Sequence, residues 1–132
     1  MATAIRLKAP GGADQLESGT IELPPPQPDE IRIRQTAIGV NFIDLYQRRG
    51  LYPLPPPAIP GVEAVGLVTA VGANVTSSRV GDRVAYAGAP VGAYVSERNL
   101  PAWRAIKLPD SVSDASVASV FVKGITAHML LQ

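Results

Sequence analysis

The densest chemistry in the chain lies in thirteen residues, NFIDLYQRRGLYP, from Asn41 to Pro53. They supply an amide (Asn41), a carboxylate (Asp44), two adjacent arginines (Arg48 and Arg49) and three aromatic rings (Phe42, Tyr46 and Tyr52). The whole chain has seven aromatic residues, so three in one short stretch point to the wall of a site or to a folded corner of core. Outside this stretch, Glu63 interrupts an apolar run, and Lys123, Thr126 and His128 lie near the end of the chain.

Several reaction types find no residues here. A zinc site needs three or four Cys, His or carboxylate ligands in tetrahedral array. The chain has no cysteine, and His128 is its single histidine, so neither zinc nor a disulfide is expected. No Asp/Glu cluster has the spacing of a calcium or magnesium site. His128 as a general base is the weaker alternative to a solvated or packed histidine on a terminal helix. No serine lies in a nucleophile elbow, and neither G-x-G-x-x-G nor a P-loop occurs. Glu63 is the exception. An ionised carboxylate in an apolar strand costs several kcal/mol unless it is paired, and a structural ion pair or hydrogen bond to an Arg or backbone group is favoured over proton transfer.

The elements that must position these residues are short. Alternation of apolar with charged residues predicts strands at 4–9 and 30–40, the second with Ile31 and Ile33 against Arg32 and Arg34. Residues 62–72 are apolar on both faces apart from Glu63 and Thr69, the pattern of a central strand. Three further short strands are expected at 82–87, 92–97 and 104–109. The proline stretches PPPQP (24–28) and PLPPPAIP (53–60) read as stiff loops rather than as ligands for proline-binding modules. Asn41 can cap a helix over 42–49, with Asp44 complementing its N-terminus and Gly50 closing it. A second helical region, near 113–130, has Ser111 and Asp114 at capping-box spacing and a break at Gly124. Its apolar stripe of Ile125, Met129 and Leu130 runs on without a cap, as expected of a domain cut from a longer chain.

Thirteen prolines and twelve glycines among 132 residues fit a β-rich fold with rigid connections, and this length fits a single domain. With 12 basic and 11 acidic residues interspersed, the net charge is +1, and no basic cluster is present to track phosphates. Nucleic acid is therefore not an expected partner. No segment reaches membrane-spanning length and no signal peptide opens the chain, so a cytoplasmic protein is expected.

One ordered set of motifs is more specific. GVEAVGLVTAVGANVTSSRVGDRV (61–84) fits G-x-E-x-x-G-x-V, then V-G-x-x-V, then G-D-x-V after five residues. This resembles the GroES-like catalytic domain of the medium-chain dehydrogenase/reductase superfamily. AIGVNFIDLYQRRGLYP (37–53) and VKGITAHMLL (122–131) are similar to its zinc-independent quinone oxidoreductases, the ζ-crystallin-like branch. The resemblance runs from GGADQLE (11–17) to Gln132. It implies a partly open β-barrel over residues 1–132, mainly β with short helices and without the Rossmann domain of a complete enzyme.

The resemblance also assigns roles. Asn41, Phe42, Ile43, Asp44 and Tyr46 match a segment lining the cleft beside the nicotinamide end of NADPH, and Thr126 matches a threonine near it. Tyr46 and Tyr52 would orient the acceptor by hydrogen bonds or serve only as stacking walls. Asn41 and Val62 stand where the zinc-dependent alcohol dehydrogenases carry cysteine and histidine ligands. Lys123 would approach the cofactor or, preferably, pair with a carboxylate. The implied enzyme is a homodimer passing hydride from NADPH to a quinone or conjugated enone, with the isolated domain expected to be inactive. The alternative is a stand-alone GroES-like binding module with no catalysis.

Overall fold

The computed structural model describes all 132 residues. In chain order the elements are β1 (Ala2–Leu7), β2 (Leu16–Ile21), β3 (Glu30–Gly39), α1 (Phe42–Arg49), β4 (Glu63–Val71), β5 (Arg83–Ala87), β6 (Glu97–Pro101), β7 (Ile106–Lys107) and α2 (Asp114–Leu130). β1 and β2 form an antiparallel pair, and the other strands form a five-stranded antiparallel sheet in the order β6-β3-β4-β5-β7. The two sheets do not close on each other, so the architecture is a partly open barrel, mainly β with two helices.

Burial follows the alternation. Ile31 and Ile33 of β3 are fully buried and pack with Ala64, Val68, Val84 and Leu100 in the main core. β4 lies between β3 and β5 and is buried on both faces over its first half, which explains its lack of polar alternation. Two register shifts interrupt the β3–β4 ladder, one of them skipping Thr36. A residue skipped in this way leaves the pairing and bends its strand. Here it frees the Thr36 hydroxyl, which reaches Asp114 Oδ2 (2.6 Å) at the start of α2.

The structure departs from the sequence reading in several places, and the strand expected at 104–109 is only β7 (Ile106–Lys107), because a 3-10 turn occupies Ala102–Arg104. β2 was not foreseen, because LESGTI carries a Ser-Gly pair that weakens any strand signal; pairing with β1 along its whole length makes it a strand. The strand expected at 92–97 begins only at Glu97. Gly92 has φ +131, outside the strand range, and before Glu97 only Tyr94 and Ser96 hydrogen-bond to β1, the Tyr94 carbonyl accepting the Ile5 N–H and the Ser96 N–H donating to the Thr3 carbonyl. α2 is one helix rather than two, running through Gly124, and its N-cap is Ser113, whose hydroxyl accepts the Ser116 N–H (3.2 Å). A lone glycine costs a helix about 1 kcal/mol, which flanking turns can carry. No helix is long and apolar enough to cross a membrane.

Candidate functional site between the two helices

α1 begins where β3 leaves the sheet. Asp44 Oδ2 accepts the Asn41 backbone N–H (2.9 Å), the carboxylate arm of a capping box, and Gly50 closes the helix in the left-handed conformation (φ 83). Asp44 also accepts the Tyr94 hydroxyl (2.8 Å), and its carboxyl group is buried. Burial raises its pKa above the usual carboxylate value, opposed by the hydrogen bonds from Asn41 and Tyr94. The Tyr94 phenol is likewise pushed up, first by burial and then by its carboxylate partner. Asp44 Oδ1 and, one turn on, Gln47 Oε1 are buried without a hydrogen-bond partner. Asp44 thus holds the helix start to the loop carrying Tyr94.

Glu63, the first residue of β4, is 1% exposed. Its Oε1 accepts the Asn41 side-chain amide (2.7 Å) and lies 3.5 Å from Lys123 Nζ, while its Oε2 accepts the Val122 N–H of α2 (2.9 Å). The pairing expected for this carboxylate is present, to lysine and backbone rather than to arginine. Lys123 takes the carboxylate-pairing role preferred for it. Across the ladder the partner of Glu63 is Gly39, where any side chain would collide with the carboxylate.

In front of this polar cluster lies a cleft of about 480 Å³ between the two helices. Asn41, Phe42 and Ile43 form one side, and Val122, Thr126 and Leu130 form the other. Four of the expected site residues, Asn41, Phe42, Ile43 and Thr126, therefore share one cavity although 85 positions (126 − 41) separate the first from the last. Tyr46 and Tyr52 do not line it. They continue outward from Phe42 as a ladder of rings, with centroids 6.3 Å apart for Phe42–Tyr46 and 5.8 Å for Tyr46–Tyr52, open to solvent. Asp44 faces away, toward Tyr94. His128 is exposed, its ring against Gln132 (2.7 Å). No group of three His, Asp or Glu side chains is placed to hold a metal ion.

Sequence reasoning passed over Gly39, Tyr94 and Val122. Val122 contributes an N–H that every residue type but proline has, and Tyr94 lies 50 positions from its partner, so neither carried a local signal.

Residues 27–110 match the alcohol dehydrogenase GroES-like domain family. The chain belongs to that family. Along its entire length it is 46% identical to a quinone oxidoreductase of Salmonella typhimurium, and it covers 41% of that protein. A 2-haloacrylate reductase of a Burkholderia species is 42% identical over 99% of the chain, which covers 40% of it. Among solved structures, Escherichia coli quinone oxidoreductase complexed with NADPH superposes with a TM-score of 0.94 at 41% identity, over 98% of this chain and 40% of that one. The GroES-like domain thus spans about two-fifths of the length of the relatives it matches.

Proposed function

We propose that this GroES-like domain is the substrate side of a zinc-independent, NADPH-dependent oxidoreductase that passes hydride to a quinone or a conjugated enone. The observation that carries this reading is the cleft, lined by the apolar Phe42, Ile43, Val122 and Leu130 together with Thr126. Flat apolar walls suit a planar ring and its planar acceptor. The names of the relatives support it: two are quinone oxidoreductases, one of them complexed with NADPH, and the third is a reductase of a conjugated alkene.

The residues fit the nicotinamide end of the cofactor. Thr126 Oγ1 gives its proton to the Val122 carbonyl (2.9 Å), so its lone pairs remain as acceptors for a carboxamide N–H. They do not fit a pyrophosphate, since the chain has no glycine-rich turn and the one cation of the cleft, Lys123, is held by Glu63. Bound against this wall, NADPH would supply the hydride.

Reducing a simple aldehyde leaves charge on one oxygen, which a metal would stabilise. Asn41 and Val62 offer no such ligand set: the Asn41 side chain is bonded to Glu63 and Lys123, and Val62 is apolar and buried. Quinones and enones spread the developing charge over a conjugated system, so hydrogen bonds suffice. Tyr46 and Tyr52, exposed beyond Phe42 and outside the cleft, would give them to an acceptor that reaches past the Phe42 ring. On this reading the whole enzyme is a cytoplasmic homodimer, and the 132 residues alone bind NADPH weakly and turn nothing over.

The test is a chimera in which these residues replace the matching part of the Escherichia coli enzyme. It should oxidise NADPH with quinones and enones and leave acetaldehyde untouched. A folded chimera that reduces acetaldehyde as well as quinone would overturn the substrate class. Within that chimera, Tyr52→Phe should lower acceptor turnover by about tenfold, as for one lost hydrogen bond to developing charge, with the KM for NADPH unchanged.

A further inference from the structure

We infer that Glu63, Asn41 and Lys123 form a closed polar latch that fixes α2 against α1, so that Asn41 and Lys123 are positioning residues of the cleft rather than contacts for a ligand. The three side chains come from β4, the cap of α1 and the middle of α2, and they consume one another's hydrogen-bonding capacity. Glu63 uses both oxygens, Oε1 for the Asn41 amide and Lys123 and Oε2 for the Val122 N–H. Asn41 gives Nδ2 to Glu63 and takes Lys123 Nζ on Oδ1 (3.2 Å). Lys123 Nζ also reaches the Val40 carbonyl (3.1 Å).

The charges balance within the cluster, one carboxylate against one ammonium. The carboxylate is fully buried while the lysine side chain remains half exposed. A ligand that drew either Asn41 or Lys123 to itself would strip a partner from that buried carboxylate, a costly exchange. The polar side chain left to an occupant of the cleft is then Thr126.

The latch also explains Gly39. The carboxylate fills the space that a side chain there would need, so Glu63 lies against Gly39 of β3 while its Oε2 holds the Val122 N–H of α2. The contacts alone carry the latch; its bearing on cofactor contacts rests on the function proposed above.

A charge transposition tests it. Glu63→Gln alone leaves one donor facing another, at Asn41, at the Val122 N–H or, with the Asn41 amide turned over, at Lys123. Asn41→Asp alone brings two carboxylates to the 2.7 Å contact. Made together, Asn41→Asp and Glu63→Gln restore the pattern with the charge moved by one residue. The amide at position 63 then donates where Asn41 did, its oxygen keeps the Val122 N–H, and Lys123 meets a carboxylate at its present 3.2 Å contact.

Amide hydrogen exchange of the 132-residue chain is the readout, and it needs no cofactor. Protection at Val122 and its neighbours should fall by about tenfold or more in each single variant and return to within about threefold in the double. If a single variant fails to fold, the double must recover the fold. Unchanged exchange in Glu63→Gln, or a double variant no better than the worse single, overturns the latch. Neither result bears on whether the chimera reduces quinones, and a dead chimera would leave the latch standing.

Discussion

The first half of α2, Asp114 to Lys123, and its second half, from Gly124 on, belong to one continuous helix with very different attachments. The first half has two polar anchors. At its start Asp114 lies 2.7 Å from Arg83 Nε, an ion pair whose N–H is not well aimed at the oxygen, and it accepts the Thr36 hydroxyl. At its middle is the Glu63 cluster. Between the anchors Ala118 is buried against Val65 and Ala85, with Val117 and Phe121 packed beside it. The second half has no such tie: Ile125, Met129, Leu130 and Leu131 are all exposed. Helix propensity alone does not make a helix rigid. Here tertiary contact divides one helix into a held part and a projecting part.

The largest expected effect lies where the held half is tightest. Gly39→Ala introduces a side chain into the Glu63 carboxylate, so β3, the carboxylate or α2 must shift. Overpacking of this kind should cost about 2–3 kcal/mol, read as a lower urea midpoint with unchanged slope. A midpoint equal to wild type would mean that Glu63 moves aside freely and that the held half is looser than described.

Asp114→Ala removes the other anchor. It takes a carboxylate from the Arg83 guanidinium and the Thr36 hydroxyl, and a favourable charge from the helix N-terminus. A loss of about 1–2 kcal/mol is expected in urea denaturation. Both sites affect the first half only, so exchange at residues 125–130 should barely change in either variant.

The projecting half should show itself in association. Its exposed apolar side chains form an adhesive patch, and sedimentation of the chain at high concentration should reveal self-association. Leu130→Lys should weaken that association while moving stability by no more than about 0.5 kcal/mol, as for an exposed position. A wild-type chain that stays monomeric with residues 125–130 fully helical would count against the patch.

What was legible in the sequence follows the same division. α1 could be read in full because its determinants are local: Asn41 at the cap, Asp44 three residues on, Gly50 at the end. β3 and β4 were legible because alternation and its absence report burial directly. Glu63 could be marked as a carboxylate in need of a partner, but not which partner, because Asn41, Val122 and Lys123 meet it only through the fold. The site residues were located by motif, and four of them line one cleft. Their individual orientations were not legible. Asp44 turns toward Tyr94, and the Asn41 amide is committed to Glu63, both through contacts between residues far apart in sequence. β2 was hidden because its strand character comes from β1, and the continuity of α2 because the expected break at Gly124 was a propensity argument without its context.

Gly124 provides the finest test of the division. It stands at the junction of the two halves, and a methyl group there would meet no atom within 4 Å. Replacing an exposed mid-helix glycine by alanine ordinarily stabilises the helix by about 1 kcal/mol. Where that gain appears depends on which segment unfolds with which. If the projecting half opens independently, Gly124→Ala should raise exchange protection at residues 125–130 and the far-UV helical signal. The urea midpoint of the whole domain would then stay where it was, because the second half is already open before the global transition. If the helix is a single cooperative unit, the same substitution would shift the midpoint by the full stabilisation and protect both halves equally. That second outcome would erase the distinction between held and projecting halves. Their different attachments would then be a feature of the contacts but not of the energetics.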